Sequence, residues 1–212
     1  EQRWTAQHLE ILQESRLGTT RHLVSALATL AKPPSVLVNA SAVGYFGTSL
    51  DGRFEESSPA GQDFLARLCQ KWEQAAEEKP SATRLVVLRI GIVLSSEGGA
   101  LAKMLPVFRA GFGGPIGSGQ QWMSWIERGD LCRIIQSSLE SESWSGVINA
   151  VAPDPVTMAV FAGSLGRCLG RPSLLAVPGP MLQLLLGDGS KVVLEGQFVS
   201  SGRLEELGFK FR

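Results

Sequence analysis

Two runs along the chain stand out for lacking any polar alternation. Ser35-Val-Leu-Val-Asn39 and Leu85-Val-Val-Leu-Arg-Ile-Gly-Ile-Val93 are apolar almost throughout, a pattern that suits strands buried on both faces, as in parallel sheets. Between them Asp63 to Glu78 repeats at helical spacing, with Phe64, Leu65, Leu68, Trp72 and Ala75 on the inner face and Lys79-Pro80-Ser81 as the stop. Strand, helix and strand in this order predict a crossover unit with a parallel pair. Upstream, Thr5 to Ala31 reads as one long helix or two abutting ones. Leu9, Leu12, Leu23, Val24, Leu27 and Leu30 form its apolar stripe, Thr5 caps it, and Lys32-Pro33-Pro34 ends it. Gly18 in its middle costs roughly 1 kcal/mol against alanine, which suggests another backbone close by.

After Leu94 the pattern changes. Ser95 to Gln121 is glycine-rich, with a short amphipathic piece from Leu101 to Phe108. Gly111 to Gly119 follows no strand, contains a proline and opens no helix, so it reads as an irregular lobe or lid and not as a phosphate-binding turn. A helix from Leu131 to Leu139, capped by Asp130, leads to a third short strand, Gly146 to Val151. Thr157 to Leu169 is helical and stops at Gly170, and Pro178 to Leu186 is a short, very apolar helix whose bland role is core packing.

Composition narrows the function classes. The chain has 212 residues, a formal net charge of zero and no cluster of basic residues, so no nucleic-acid footprint or polybasic membrane anchor is expected. Three widely spaced cysteines fit neither a zinc pattern nor a disulfide framework. They point to an intracellular, reducing compartment: the cytoplasm, or an organelle interior such as a plastid stroma or mitochondrial matrix. Both histidines, His8 and His22, fall on one predicted helix, so no His-based metal site is expected. The apolar stretch Leu182 to Leu186 is too short to span a bilayer.

The chemistry gathers at Asn39-Ala-Ser-Ala-Val-Gly-Tyr-Phe-Gly47. This stretch sets Ser41 and the sole tyrosine, Tyr45, just past the end of the first buried run. In open α/β sheets ligands collect at the carboxyl ends of strands. The competing reading is that the two residues finish a strand and close a loop.

Several motifs resemble the extended short-chain dehydrogenase/reductase superfamily of the nucleoside-diphosphate-sugar epimerase type. They are Ser15-Arg-Leu-Gly-Thr-Thr20, Ser41-Ala-Val-Gly-Tyr-Phe-Gly47, Leu88-Arg-Ile-Gly-Ile-Val93, Trp125-Ile-Glu-Arg-Gly-Asp130 and Val147-Ile-Asn149. Within it, Trp72-Glu-Gln-Ala-Ala76, the run from Gly98 to Ile126 and Val193-Leu-Glu-Gly-Gln197 resemble an atypical branch called epimerase-family or cell-division-inhibitor-like. The resemblance implies an α/β fold: a Rossmann-like parallel sheet with helices on both faces, plus a smaller C-terminal substrate-binding lobe. The expected division is 1–94 for the Rossmann-like part and 95–212 for the lobe, with 122–151 packing back on the sheet. The family opens with a strand, a Gly-x-x-Gly-x-x-Gly turn and further βα units; the chain begins Glu1-Gln-Arg-Trp4, so it is expected to enter after the family's fourth strand.

The resemblance also implies roles. Ser41 takes the place of the catalytic serine. The superfamily's Tyr-x-x-x-Lys pair is replaced by Leu65 and Cys69, which leaves Tyr45 as the candidate phenolic acid/base. Arg16, Asn39 and the backbone of Val93 are the candidate cofactor contacts, with NADP as the cofactor; Trp125 and Asp130 are the candidate substrate contacts. Two functions follow. One is an NADP-dependent oxidoreductase or epimerase acting on an unknown small, nucleotide-sugar-like substrate. The other is a reductase-fold protein with reduced or no catalysis, a subunit of a larger assembly with a protein partner, linked to cell or organelle division. In that second case the apolar Met181 to Leu186 would be contact surface.

Overall fold

The computed structural model describes residues 4–212, except the side chains of residues 185, 186, 188, 192 and 193. The opening Glu1 to Arg3 and part of the apolar stretch Leu182 to Leu186 therefore lie outside the described residues. Two helices come first: α1 (Ala6–Gln13), capped by the Thr5 hydroxyl, and α2 (Thr19–Ala28). The chain between them, Glu14–Gly18, is a π turn. A π turn closes one residue later than an α turn, so it shifts the phase of the stripe. Val24 is buried, but Leu23 and Leu30, expected on the same inner face, are exposed. The expected backbone neighbour of Gly18 is also not what is found: a Cβ there would meet the Glu14 carboxylate of its own turn.

The buried runs become β1 (Val36–Ala42) and β3 (Arg84–Ile90), joined through α3 (Phe64–Glu77) and paired in parallel. With β7 (Gly146–Ala150) they make a parallel sheet of order β1-β3-β7. Among the described residues β1 is an edge strand, with a neighbour on one side. One face of the sheet packs Val86, Leu88, Ile148 and Ala150 against α5 (Arg128–Glu140), α8 (Gly202–Glu206) and the C-terminal Phe209. The other packs Leu37, Leu85 and Val87 against Val24 of α2 and Ala76 of α3. Helices on both faces of a parallel sheet give the expected α/β, Rossmann-like architecture.

The long run predicted as one strand breaks at Gly91. After it β4 (Ile92–Leu94) leaves β3 and pairs with β6 (Trp125–Glu127). The cause is a close crossing: a Cβ on Gly91 would sit 2.5 Å from the Ser124 carbonyl oxygen and 2.9 Å from Val151 Cγ1. The helix expected from Leu131 starts earlier, at Arg128. Its cap is Glu127, whose carboxylate accepts from the Gly129 and Asp130 amides, and not Asp130.

The remaining chain forms a second packed group. Phe108 of α4 (Gly99–Arg109), Met123 of β5 (Trp122–Met123), and Met158 and Ala162 of α6 (Met158–Leu169) share one apolar core. β5 pairs antiparallel with β8 (Val156–Thr157), and β9 (Phe198–Val199) pairs with β2 (Arg53–Phe54). In α7 (Gly179–Leu186) Met181 and Leu184 face outward, Leu184 at 80% exposure, so core packing does not hold for them. Among the described residues no helix is long and apolar enough to cross a membrane.

Gly91→Ala is expected to destabilise the folded protein by about 1–3 kcal/mol, since the obstacles are backbone and a packed side chain. A thermal unfolding midpoint equal to wild type would show that the strand break does not depend on this crossing.

Candidate active site

The parallel register places Ser41 opposite Arg89 and Arg89 opposite Asn149. Their side chains therefore stand in a row on one face of the sheet, at its carboxyl end. Arg89 sits in an otherwise apolar strand and is only 3% exposed, and a buried cation requires a partner. The partner comes from α3: Arg89 Nε donates to Glu73 Oε1 at 2.9 Å, and Nη2 to Oε2 at 2.8 Å. Arg89 Nη1 also donates to the Glu56 carbonyl at 3.1 Å, and the Glu56 carboxylate accepts from the Asn149 amide at 2.8 Å. The Ser41 hydroxyl donates to Glu73 Oε1 at 2.6 Å, the length of a charge-assisted hydrogen bond.

In front of Ser41 lies a cavity of about 680 Å³, within the size range of small-ligand sites. Its floor is the carboxyl end of β1 and the β3–β4 junction, from Ala40 to Ala42 and Ile90 to Ile92. Leu65, Leu68, Cys69 and Trp72 of α3 form one wall, and Arg16 of the π turn stands beside them. The Arg16 guanidinium lies 5.5 Å from the Trp72 ring centre and donates to the Leu12 carbonyl at 3.1 Å. The Trp72 indole N–H donates to Thr20 at 2.9 Å, which ties α3 to the two N-terminal helices.

The opposite side is closed by Trp122, Ser124 and the segment 191–197. Gly196 passes so close to Trp122 that a Cβ would come within 2.0 Å of its carbonyl oxygen. The segment is fastened to the chain after Ser41 by three hydrogen bonds: Thr48 to Glu195 (2.8 Å), the Ser49 amide to the Gly196 carbonyl (2.8 Å) and Gln197 to the Val43 carbonyl (2.7 Å). Close approach and fastening together account for the Glu-Gly-Gln motif in physical terms.

Of the residues singled out from the sequence, Ser41 and Arg16 line this cavity. The others do not, among the described residues. The Arg89 guanidinium carbon lies over the Tyr45 ring, 3.3 Å from its centre, and the ring is edge-on to Phe46. Tyr45 is not among the residues that line the cavity. Asn39 is buried and donates to the Ala40 carbonyl at 2.8 Å. The Val93 side chain joins the sheet core, while its neighbour Ile92 lines the cavity. The Trp125 indole donates to the Asp154 carbonyl, and Trp122 lines the cavity instead. Asp130 is ion-paired with Arg133, accepts from the Arg212 amide and is not among the residues that line this cavity. Glu73, Lys191, Glu195 and Gln197 were assigned no role from the sequence, although Glu73, Glu195 and Gln197 lie in the two family motifs quoted above. A further signal for Glu73 is Arg89, a charge in a buried strand with no acid nearby in sequence.

Burial pushes the Cys69 thiol up to about 11, against its hydrogen-bond contacts with the Ala42 backbone and Ser41, which pull it down. A raised value means the neutral thiol persists through neutral pH, so Cys69 is a poor nucleophile there. Iodoacetamide at pH 8 is expected to label the exposed Cys132 and Cys168 and to spare Cys69 until the pH approaches 11 or the protein unfolds. Rapid labelling of Cys69 in folded protein at pH 8 would contradict this. Separately, Arg89→Ala leaves Glu73 buried without its partner and should cost about 3–5 kcal/mol. A urea unfolding midpoint close to wild type would refute that cost.

Residues 177–212 match a family model described as a domain of unknown function (DUF1731). Over 99% of its length the chain is 46% identical to the chloroplastic epimerase family protein SDR39U1 homolog of Arabidopsis thaliana, and it spans 61% of that relative. It is 41% identical to the mouse epimerase family protein SDR39U1, of which it covers 72%. The human SDR39U1 structure, solved with NADPH, superposes with a TM-score of 0.96 at 39% identity, over 99% of this chain and 72% of that one. A nucleoside-diphosphate sugar epimerase from Corynebacterium glutamicum gives a TM-score of 0.76 at 32% identity, over the whole chain and 42% of its own length. With this identity and coverage, and with the Ser41 sheet edge and Glu-Gly-Gln segment just described, the chain belongs to the SDR39U1 epimerase family of the short-chain dehydrogenase/reductase superfamily.

Proposed function

We propose that this chain forms the nicotinamide-side and substrate-side walls of an NADP-dependent oxidoreductase- or epimerase-type site that acts on a small polar molecule of the nucleotide-sugar kind. The observation that carries this reading is the shared cavity. It brings a hydroxyl at a strand end (Ser41), a guanidinium on the helix side (Arg16) and a polar cover (Lys191, Glu195, Gln197) around one space. A nicotinamide dinucleotide is a long anion that ends in a flat ring. The residues present suit that end of it: a cation for phosphate oxygens, small Ala40 and Ala42 along the strand, and apolar Leu65, Leu68 and Ile92 for the ring. The solved human relative, crystallised with NADPH, supports the choice of cofactor.

When bound, the cofactor supplies or accepts a hydride. The chain's own residues bind and orient. Arg16 offsets phosphate charge, Ser41 fixes a polar group of the substrate at the sheet edge, and the 191–197 segment excludes water. One observation favours a second reading, binding without fast turnover. Leu65 and Cys69 face the cavity, and neither exchanges a proton near neutral pH, Cys69 because of its raised value.

NADPH titration of the full-length protein tests the reading, since Trp72 and Trp122 line the cavity and report binding by fluorescence. Saturable quenching is expected, weakened roughly ten- to a hundredfold by Arg16→Gln, the effect of losing one charged hydrogen bond. No change up to about 1 mM NADPH would sink it. Binding with no hydride transfer in either direction, from nucleotide sugars to NADP+ or from NADPH to their ketones, would favour the second reading.

A further inference from the structure

The Ser41 hydroxyl carries a single proton, and in this structure that proton is committed. It points at Glu73 Oε1 over 2.6 Å, away from the cavity that Ser41 lines. Both Glu73 oxygens also receive hydrogen bonds from Arg89, at 2.9 and 2.8 Å. A carboxylate so held accepts and does not donate. The neutral Cys69 thiol beside it can only donate to the same oxygen, so what Ser41 shows to the cavity is its remaining lone pair. Glu73 lies on α3 and Arg89 on the sheet, and neither is among the residues that line the space.

From this arrangement we infer that Glu73 is a positioning residue which makes Ser41 a hydrogen-bond acceptor, so that the site selects a ligand presenting a donor there, a hydroxyl or an amine, over one presenting a carbonyl. The inference deepens the reading of the cavity as a substrate site and rests on it. It also gives a reason for Arg89. Without the guanidinium on both oxygens, the carboxylate could turn, and the direction of the Ser41 hydrogen bond would no longer be fixed. The Tyr45 ring packs against the same guanidinium. Selection in this sense is strong chemistry, because a buried acceptor facing a carbonyl leaves two oxygens without a proton between them.

The test uses two flat probes of similar size that do not react with NADPH. Phenol presents a donor; pyridine N-oxide presents only an acceptor. Their binding to full-length protein is followed by ligand-observed NMR at pH 7, with saturating NADPH and again without it. Wild type should bind phenol at least about fivefold more tightly than pyridine N-oxide, the worth of one hydrogen bond. Ser41→Ala should abolish that ratio. Glu73→Gln, whose amide can donate to Ser41 and free its proton, should shift the ratio toward pyridine N-oxide, a reversal that loosened packing would not produce. Equal binding of the two probes to wild type, or a ratio unchanged in Ser41→Ala, would overturn the inference. If Glu73→Gln does not fold, the Ser41→Ala comparison decides alone. NADPH binding is measured on the same samples. Its absence defeats the proposed function, while the probe ratio without cofactor still judges this inference.

Discussion

A charge inside a strand is the constraint around which the carboxyl end of this sheet is arranged. Arg89 cannot be buried alone, and desolvating a guanidinium is tolerable only with a well-placed anion and its remaining donors satisfied. Glu73 on α3 supplies the anion, and the Glu56 carbonyl takes a further donor. The helix is thus fixed in rotation and in height over the sheet by one bidentate pair. That fixing decides which α3 residues meet the cavity: Leu65, Leu68, Cys69 and Trp72, while Ala76 goes to the core beneath.

The two faces of the sheet show how a single apolar run serves two ends. On one face apolar positions continue to the carboxyl end, through Ile90 and Ala150. On the other, they stop after Val87, and the next row is Ser41, Arg89 and Asn149. The polar row sits where a parallel sheet opens, beyond the crossover helix, which is where small ligands find both exposed strand ends and directed hydrogen bonds.

Much of this was legible in the chain. Unbroken apolar runs specified β1 and β3, and proline and glycine marked the helix ends, because those signals are local. Ser41 and Arg16, far apart in sequence, line one cavity. What was not legible depended on geometry between distant segments. Gly91 breaks a run that reads as continuous because Ser124, far along the chain, crosses it. The π turn at Glu14–Gly18 moved Leu23 and Leu30 out of a stripe drawn at ideal helical spacing. The contact of the Tyr45 ring with the Arg89 guanidinium joins residues more than forty positions apart, and Asp130, besides its pair with Arg133, accepts from the amide of the final residue, Arg212; neither distant contact leaves a local trace in the sequence.

The fastening of the 191–197 segment has a consequence for how the protein can be cut. Thr48 and Glu195 meet across 147 positions of chain, and Val43 and Gln197 across 154. One wall of the cavity is therefore made by residues that only the folding of the whole intervening chain brings together. Removing the stretch from residue 177 onward would open the cavity on that side, and a ligand seated against Ala40 to Ala42 would lose the cover that separates it from water.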